Sequence, residues 1–114
     1  MIAHVVLFRP RAGLPREMRD AFARALEQAR REIPSIRRFH VGLRIRHGRP
    51  YEQEMTQDFP YAAVIEFDDL RGLTAYLDHR AHDELARLWA TLSEMTLVYD
   101  YEMADASESA RVLA

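Results

Sequence analysis

The chain has 114 residues, the length of one domain, and is 48% hydrophobic, which supplies enough Leu, Ile, Val and Phe to exclude disorder as its main state. Its formal charge is −2, from 16 basic and 18 acidic residues, which excludes the overall basic balance of a nucleic-acid or anionic-membrane binder. It holds no Cys, Lys or Asn. Disulfides, thiolate metal sites and Cys nucleophiles are therefore impossible, as are a Lys Schiff base, a P-loop lysine and N-glycosylation. No run of 18 apolar residues and no secretory signal pattern is present, so a cytoplasmic location without membrane attachment is the expectation.

Residues 2–9 (IAHVVLFR) are β-branched and aromatic and end at Pro10, which predicts a strand. Its two faces, Ile2/His4/Val6/Phe8 and Ala3/Val5/Leu7/Arg9, are both mainly apolar, so both should be covered. Pro15 then opens a helix to about residue 32. Met18, Phe22, Ala25, Leu26 and Ala29 recur along it at three- and four-residue steps, and Pro34 stops it. From Arg37 to Arg46 the period changes to two. Phe39, Val41, Leu43 and Ile45 line one face of this strand, with Arg38, His40, Arg44 and Arg46 on the other.

Residues 47–60 form a polar loop containing Gly48, Pro50 and Pro60. A third strand runs from Tyr61 to Phe67. Asp68 and Asp69 can then cap a helix with Leu70, Leu73, Tyr76 and Leu77 on its apolar face. That helix ends or bends at His79–Arg80. A further helix carries His82, Leu85, Leu88, Trp89 and Leu92, and a last strand runs from about Thr96 to Met103. Residues 1–103 thus make a single domain, and residues 104–114 read as a loose tail.

The order β, α, β, β, broken α, β specifies an α+β fold: a ferredoxin-like four-stranded antiparallel sheet with helices on one face. The other face carries Val5 and Leu7 and needs a cover. A two-fold homodimer through the sheet faces supplies it.

Four segments carry a resemblance: HVVLFR, IPSIRRFHVG, FDDL followed by AYLDHRAH, and the terminal VYDYE. In this order and spacing, over residues 2–103, the chain resembles the stress-responsive A/B barrel (Dabb) domain family, whose members are dimeric α+β barrels. It is distantly similar to one member, the plant olivetolic acid cyclase, which closes a linear polyketide by an aldol step without metal or cofactor. That similarity implies His4, Tyr76 and His82 as the catalytic group, with His82 as base, Tyr76 orienting it and donating to the oxyanion, and His4 assisting. Tyr61 stands where the cyclase has a further histidine, and Arg80 replaces a proline of the family's usual turn.

The chemistry is coherent on its own terms. An aldol-type cyclisation needs a base for the proton α to a carbonyl and a donor for the enolate oxygen, and an imidazole beside a phenol supplies both. Tyr61, Phe8, Phe67, Leu73 and Trp89 would line the pocket. The reading is a binder or cofactor-independent lyase or cyclase for a small organic acid or carbonyl compound. It demands that His4, Tyr76 and His82 converge between sheet and helices. The rival is a non-catalytic stress-response or structural dimer in which the same His/Tyr cluster is a buried network. No metal site is expected: His79 and His82 are three apart, but the bend separates them and no carboxylate spacing supports a site. Arg37, Arg38, Arg44, Arg46 and Arg49 are expected to pair with Glu52, Glu54, Glu66 or Glu102 on the surface, or else to guide an anionic substrate.

Overall fold

A computed structural model describes all residues, Met1–Ala114. The elements are β1 (Ile2–Pro10), α1 (Arg16–Glu32), β2 (Ile36–Leu43), α2 (Pro50–Glu54), β3 (Tyr61–Phe67), α3 (Leu70–Asp78), α4 (Arg80–Leu92) and β4 (Ser93–Glu102). A 3-10 turn, Ala106–Glu108, and a short helix α5, Ser109–Val112, follow. The strands form one antiparallel sheet in the order β2-β3-β1-β4, with helices on a single face. This is the ferredoxin-like α+β arrangement expected from the element order.

β1 is central and bonded on both sides. His4 stands opposite Ile65 of β3 and Asp100 of β4, and Phe8 opposite Tyr61 and Thr96. Alternation turns His4, Val6 and Phe8 toward the helices, where all three are buried. Phe8, Phe22 of α1 and Trp89 of α4 meet edge to face at centroid distances of 5.2–5.8 Å, tying both helices to the strand. On the opposite face, Val5 and Leu7 are only partly covered, while Tyr99 and Tyr101 are half exposed.

Local chemistry sets the element ends. Pro15 precedes α1, and no side chain caps that helix. Asp69 caps α3 by accepting from the Gly72 N–H at 3.0 Å. A Cβ at Gly72 would lie 3.2 Å from the Phe67 Cβ, so α3 sits tight against β3 there.

Four expectations need correction. β2 ends at Leu43, not Arg46, because its ladder stops where Leu43 meets Tyr61, the first residue of β3. One further bond, from the Arg44 N–H to the Pro60 carbonyl at 2.7 Å, follows before the chain departs. Leu43 and Ile45 consequently lie beyond the covering helices, 69% and 76% exposed. The loop 47–60 contains α2, started by Pro50 in its first turn and braced by Glu52, whose carboxylate accepts from the His47 and Gly48 N–H groups. β4 starts at Ser93 rather than Thr96, since a bulge at Arg9/Pro10 lets Ser93 pair with Pro10. The segment 104–114 holds two short helical turns and is almost wholly exposed.

Phe67 is fully buried at the junction of β3, α3 and the Tyr76 ring. Phe67→Ala should therefore cost about 3–5 kcal/mol of stability, read from urea unfolding. A cost under about 1 kcal/mol would show that α3 collapses onto the sheet without loss.

Candidate functional site

The site is built around the first half of β1. His4 is 5% exposed, and a buried imidazole needs a partner. The β1–β4 register supplies one by placing Asp100 directly opposite on the same face. His4 Nδ1 lies 2.5 Å from Asp100 Oδ1. A carboxylate only accepts, so Nδ1 carries the proton and Nε2 is the free ring nitrogen. The Asp100 side chain is 42% exposed and forms the solvent end of the pair.

Tyr76 of α3 is fully buried against this pair. Its ring meets Phe67 at 5.3 Å, His4 at 5.7 Å and His82 at 4.7 Å between centroids. Burial pushes the phenol well above its ordinary range, so Tyr76 stays protonated and can donate. Its hydroxyl oxygen is buried and has no hydrogen-bond partner in the protein. Such a group ordinarily costs about 1–3 kcal/mol, so an orphaned hydroxyl on a ring that touches two imidazoles marks a site candidate.

His82 lies in the first turn of α4 and is half-buried. Burial, and secondarily the nearby His4, push its pKa below the ordinary histidine value; Asp83 and the Leu77 backbone oppose this. The imidazole is therefore neutral at pH 7, the state a base requires. Its position depends on His79, which ends α3 through its N–H to the Tyr76 carbonyl (3.2 Å). The same residue caps α4, its Nδ1 accepting from the Ala81 N–H at 3.0 Å.

His4, Tyr76 and His82 thus converge between sheet and helices. The expected lining residues divide. Phe67 packs on Tyr76, and Leu73 is part of the core. Phe8 and Tyr61 stack at 5.5 Å and line a different space, a cavity of about 410 Å³ between α1 and the sheet. Trp89 packs on Phe8 and Phe22, and its indole N–H is buried without a partner. Tyr76 is expected to orient His82, but its hydroxyl makes no hydrogen bond to that ring, and the two meet ring to ring only.

Asp100 was not legible as a site residue. The sole signal is an acid set between two tyrosines in VYDYE, and its meaning needs the β1–β4 register. The arginine partners also differ from expectation. Arg37 pairs with Asp68, and Arg44 and Arg46 both pair with Asp58, because the loop folds back over the end of β2. Glu52 instead holds the backbone of its own loop. No group of three His, Asp or Glu side chains is positioned to hold a metal ion.

The profile of the stress-responsive A/B barrel (Dabb) domain matches residues 2–103. The chain belongs to that family. No curated protein sequence matches it significantly. Among solved structures it is similar to the hydroxynitrile lyase of Passiflora edulis (15% identity, TM-score 0.78, covering 92% of this chain and 94% of that one). It is also similar to SnoaB, a cofactor-independent oxygenase of Streptomyces nogalater (20%, 0.66, 92% and 94%). A third is a dimeric ferredoxin-like protein of unknown function from Thermobifida fusca (20%, 0.70, 90% and 90%). At these identities the likeness is one of fold, and the Dabb fold hosts different chemistries.

The lowered His82 pKa has a consequence for stability. In acid the unfolded chain binds a proton at His82 that the folded state resists. This contribution is complete above the ordinary histidine pKa of about 6.5 and is lost as pH falls through the folded value. Tm should therefore rise from pH 5 to 7, and His82→Gln should flatten that rise in scanning calorimetry. An unchanged slope would mean that His82 titrates as freely folded as unfolded.

Proposed function

We propose that this Dabb protein is a cofactor-independent small-molecule enzyme performing acid–base chemistry beside a carbonyl group. Its reaction is of the aldol-type cyclase or lyase kind, on a small organic acid or polyketide-like compound. The observation that carries the reading is the buried, unpartnered hydroxyl of Tyr76, whose ring is flanked by His4 and His82. The lyase and the cofactor-independent oxygenase among the structural relatives support small-molecule catalysis on this fold. With Lys and Cys absent from the chain, imidazole and phenol are the groups at hand.

In this mechanism neutral His82 takes the proton α to a carbonyl. Tyr76 donates its O–H to the enolate oxygen, which is stabilised best where water is excluded. The enolate carbon then bonds to a second carbonyl carbon. The resulting alkoxide recovers the proton from the His82 imidazolium, so the aldol step is balanced without an added reactant. His4, its tautomer fixed by Asp100, polarises the same region, a positioning and electrostatic role.

The reading includes a homodimer in which the open faces of two sheets meet, Val5, Leu7, Tyr99 and Tyr101 of each covering the other. Dimeric relatives support it, as does the apolar character of that face. A cytoplasmic location belongs to the same reading; no helix is long and apolar enough to cross a membrane. The second reading, a non-catalytic stress-response or structural dimer, draws on the near-complete burial of His4 and Tyr76.

Tyr76→Phe separates the two. In the enzyme it should leave Tm unchanged or raised, because the hydroxyl has no partner to lose. It should also lower turnover of β-keto acids by about 100-fold or more. NMR signals of His4 and His82 should shift when such an acid is added to the wild type. Silence of both rings, with no turnover of such acids by the wild type, would favour the structural protein. For the dimer, Leu7→Arg should produce monomers in sedimentation velocity; a wild-type monomer at micromolar concentration would overturn the assembly.

A further inference from the structure

We propose that residues 104–114 form an arm that reaches across to a second copy of the chain and seats Val112 and Leu113 in an apolar bowl at the end of β2. The inference rests on the homodimer proposed above and adds a contact outside the sheet faces. The arm is this chain's own, since the match to the Dabb domain ends at residue 103.

The tail is folded, yet against nothing. Every residue from Asp105 to Ala114 is exposed. Its hydrogen bonds stay inside the segment. The Asp105 side chain accepts from the Ser107 N–H, the Asp105 carbonyl from the Glu108 N–H, and the Ser109 carbonyl from the Leu113 N–H. A helix as short as α5 has little stability of its own. It ends in Val112 and in Leu113, the latter 83% exposed. A surface that covered this tip would remove apolar area from water and hold the turns behind it.

A matching surface lies where the loop after β2 curls over the uncovered sheet face. Leu7, Leu43, Ile45, Tyr51, Met55 and Phe59 line a bowl of about 470 Å³. Leu43, Ile45, Tyr51 and Met55 are all exposed, a concentration of large apolar side chains that a single chain leaves to water. Leu7 also belongs to the open sheet face, so the bowl is continuous with the dimer surface.

The tail as folded does not reach its own bowl. It leaves β4, one edge of the sheet, beside the start of β1, where the Met103 N–H bonds the Met1 carbonyl at 2.8 Å. The bowl stands at the other edge, at the end of β2, in line with the end of β1. From Ile2 to Phe8 and across three strand spacings is about 25 Å, corner to corner. The 3-10 turn and α5 together advance only about 12 Å. Tail and bowl are thus diagonal corners of one sheet. Two sheets stacked face to face on a two-fold axis set across that diagonal exchange these corners, and each tail falls on the other copy's bowl. The arms also meet a need of size. A four-stranded face about 19 Å wide and about 27 Å long has a footprint of about 500 Å², whereas a standard stable interface buries roughly 800 Å² on each partner. Two arms in two bowls supply part of the difference.

The chain holds no cysteine, so introduced thiols report without background. Full-length Leu113→Cys and Ile45→Cys are mixed, left to exchange subunits and oxidised. The disulfide between positions 113 and 45 should form at least tenfold more than one between Leu113→Cys and Arg38→Cys, which puts the second thiol near the start of β2 instead. Val112→Asp combined with Leu113→Asp should weaken the dimer tenfold or more in sedimentation velocity, with the circular dichroism of the fold unchanged. A dimer without the 113–45 cross-link leaves the bowl to another occupant and overturns the arm. A cross-link found only within single chains of the double variant Ile45→Cys/Leu113→Cys overturns it too, because the tail then lies on its own bowl. A wild-type monomer overturns the homodimer as well, so failure of that reading and failure of the arm alone are told apart.

Discussion

Most of this structure follows from the position of β1 in the middle of the sheet. A strand hydrogen-bonded on both sides can present only its two faces, and alternation assigns each residue to one of them. The face carrying His4, Val6 and Phe8 meets the helices and becomes the core. The face carrying Val5 and Leu7 has no helix over it. One nine-residue segment therefore supplies a buried imidazole, the aromatic wall of a cavity and the centre of an uncovered apolar surface. The two-layer thickness of the molecule, 18 Å in its shortest dimension, is the outcome: one sheet, one layer of helices and nothing beyond.

The His/Tyr cluster shows how such a frame holds a costly arrangement. Two imidazoles and a phenol share a largely dry volume; His4 is paired at Nδ1 alone, through Asp100, and the phenol hydroxyl has no partner. The surrounding fixed elements bear the cost: β1 and β4 by their ladder, and α3 by its close approach at Gly72. Polar groups held short of their hydrogen-bonding capacity are what a folded chain avoids unless another molecule completes them.

Much of the fold was legible because it rests on short-range patterning. The apolar steps of α1, the alternation in residues 61–67 and the Asp69 cap are each dictated within a few residues. Legibility failed where an outcome depends on which strand lies beside which. Leu43 and Ile45 continue the alternating pattern yet are exposed, because β3 begins at Tyr61 and offers nothing further to pair with. Asp100 looks like an ordinary surface acid until β4 is placed against β1 with position 100 opposite position 4. Arg44 and Arg46 found Asp58 rather than a glutamate because the loop curls back over the strand end, a path no local rule encodes. His4, Tyr76 and His82 stood out by residue type, but that the phenol would be left unpaired is a property of three dimensions.

The break at His79 has a geometric meaning that neither of its hydrogen bonds reveals alone. In an uninterrupted helix through residues 70–92, Tyr76 and His82 would be six positions apart, about 240° around the axis and 9 Å along it. Their rings would face different sides of the cylinder and could not meet. By ending one helix and starting the next on a new axis, a single residue rotates His82 back over Tyr76 and brings the rings to 4.7 Å. The interruption acts as a joint whose setting angle makes a pair out of two residues that a straight rod would keep strangers.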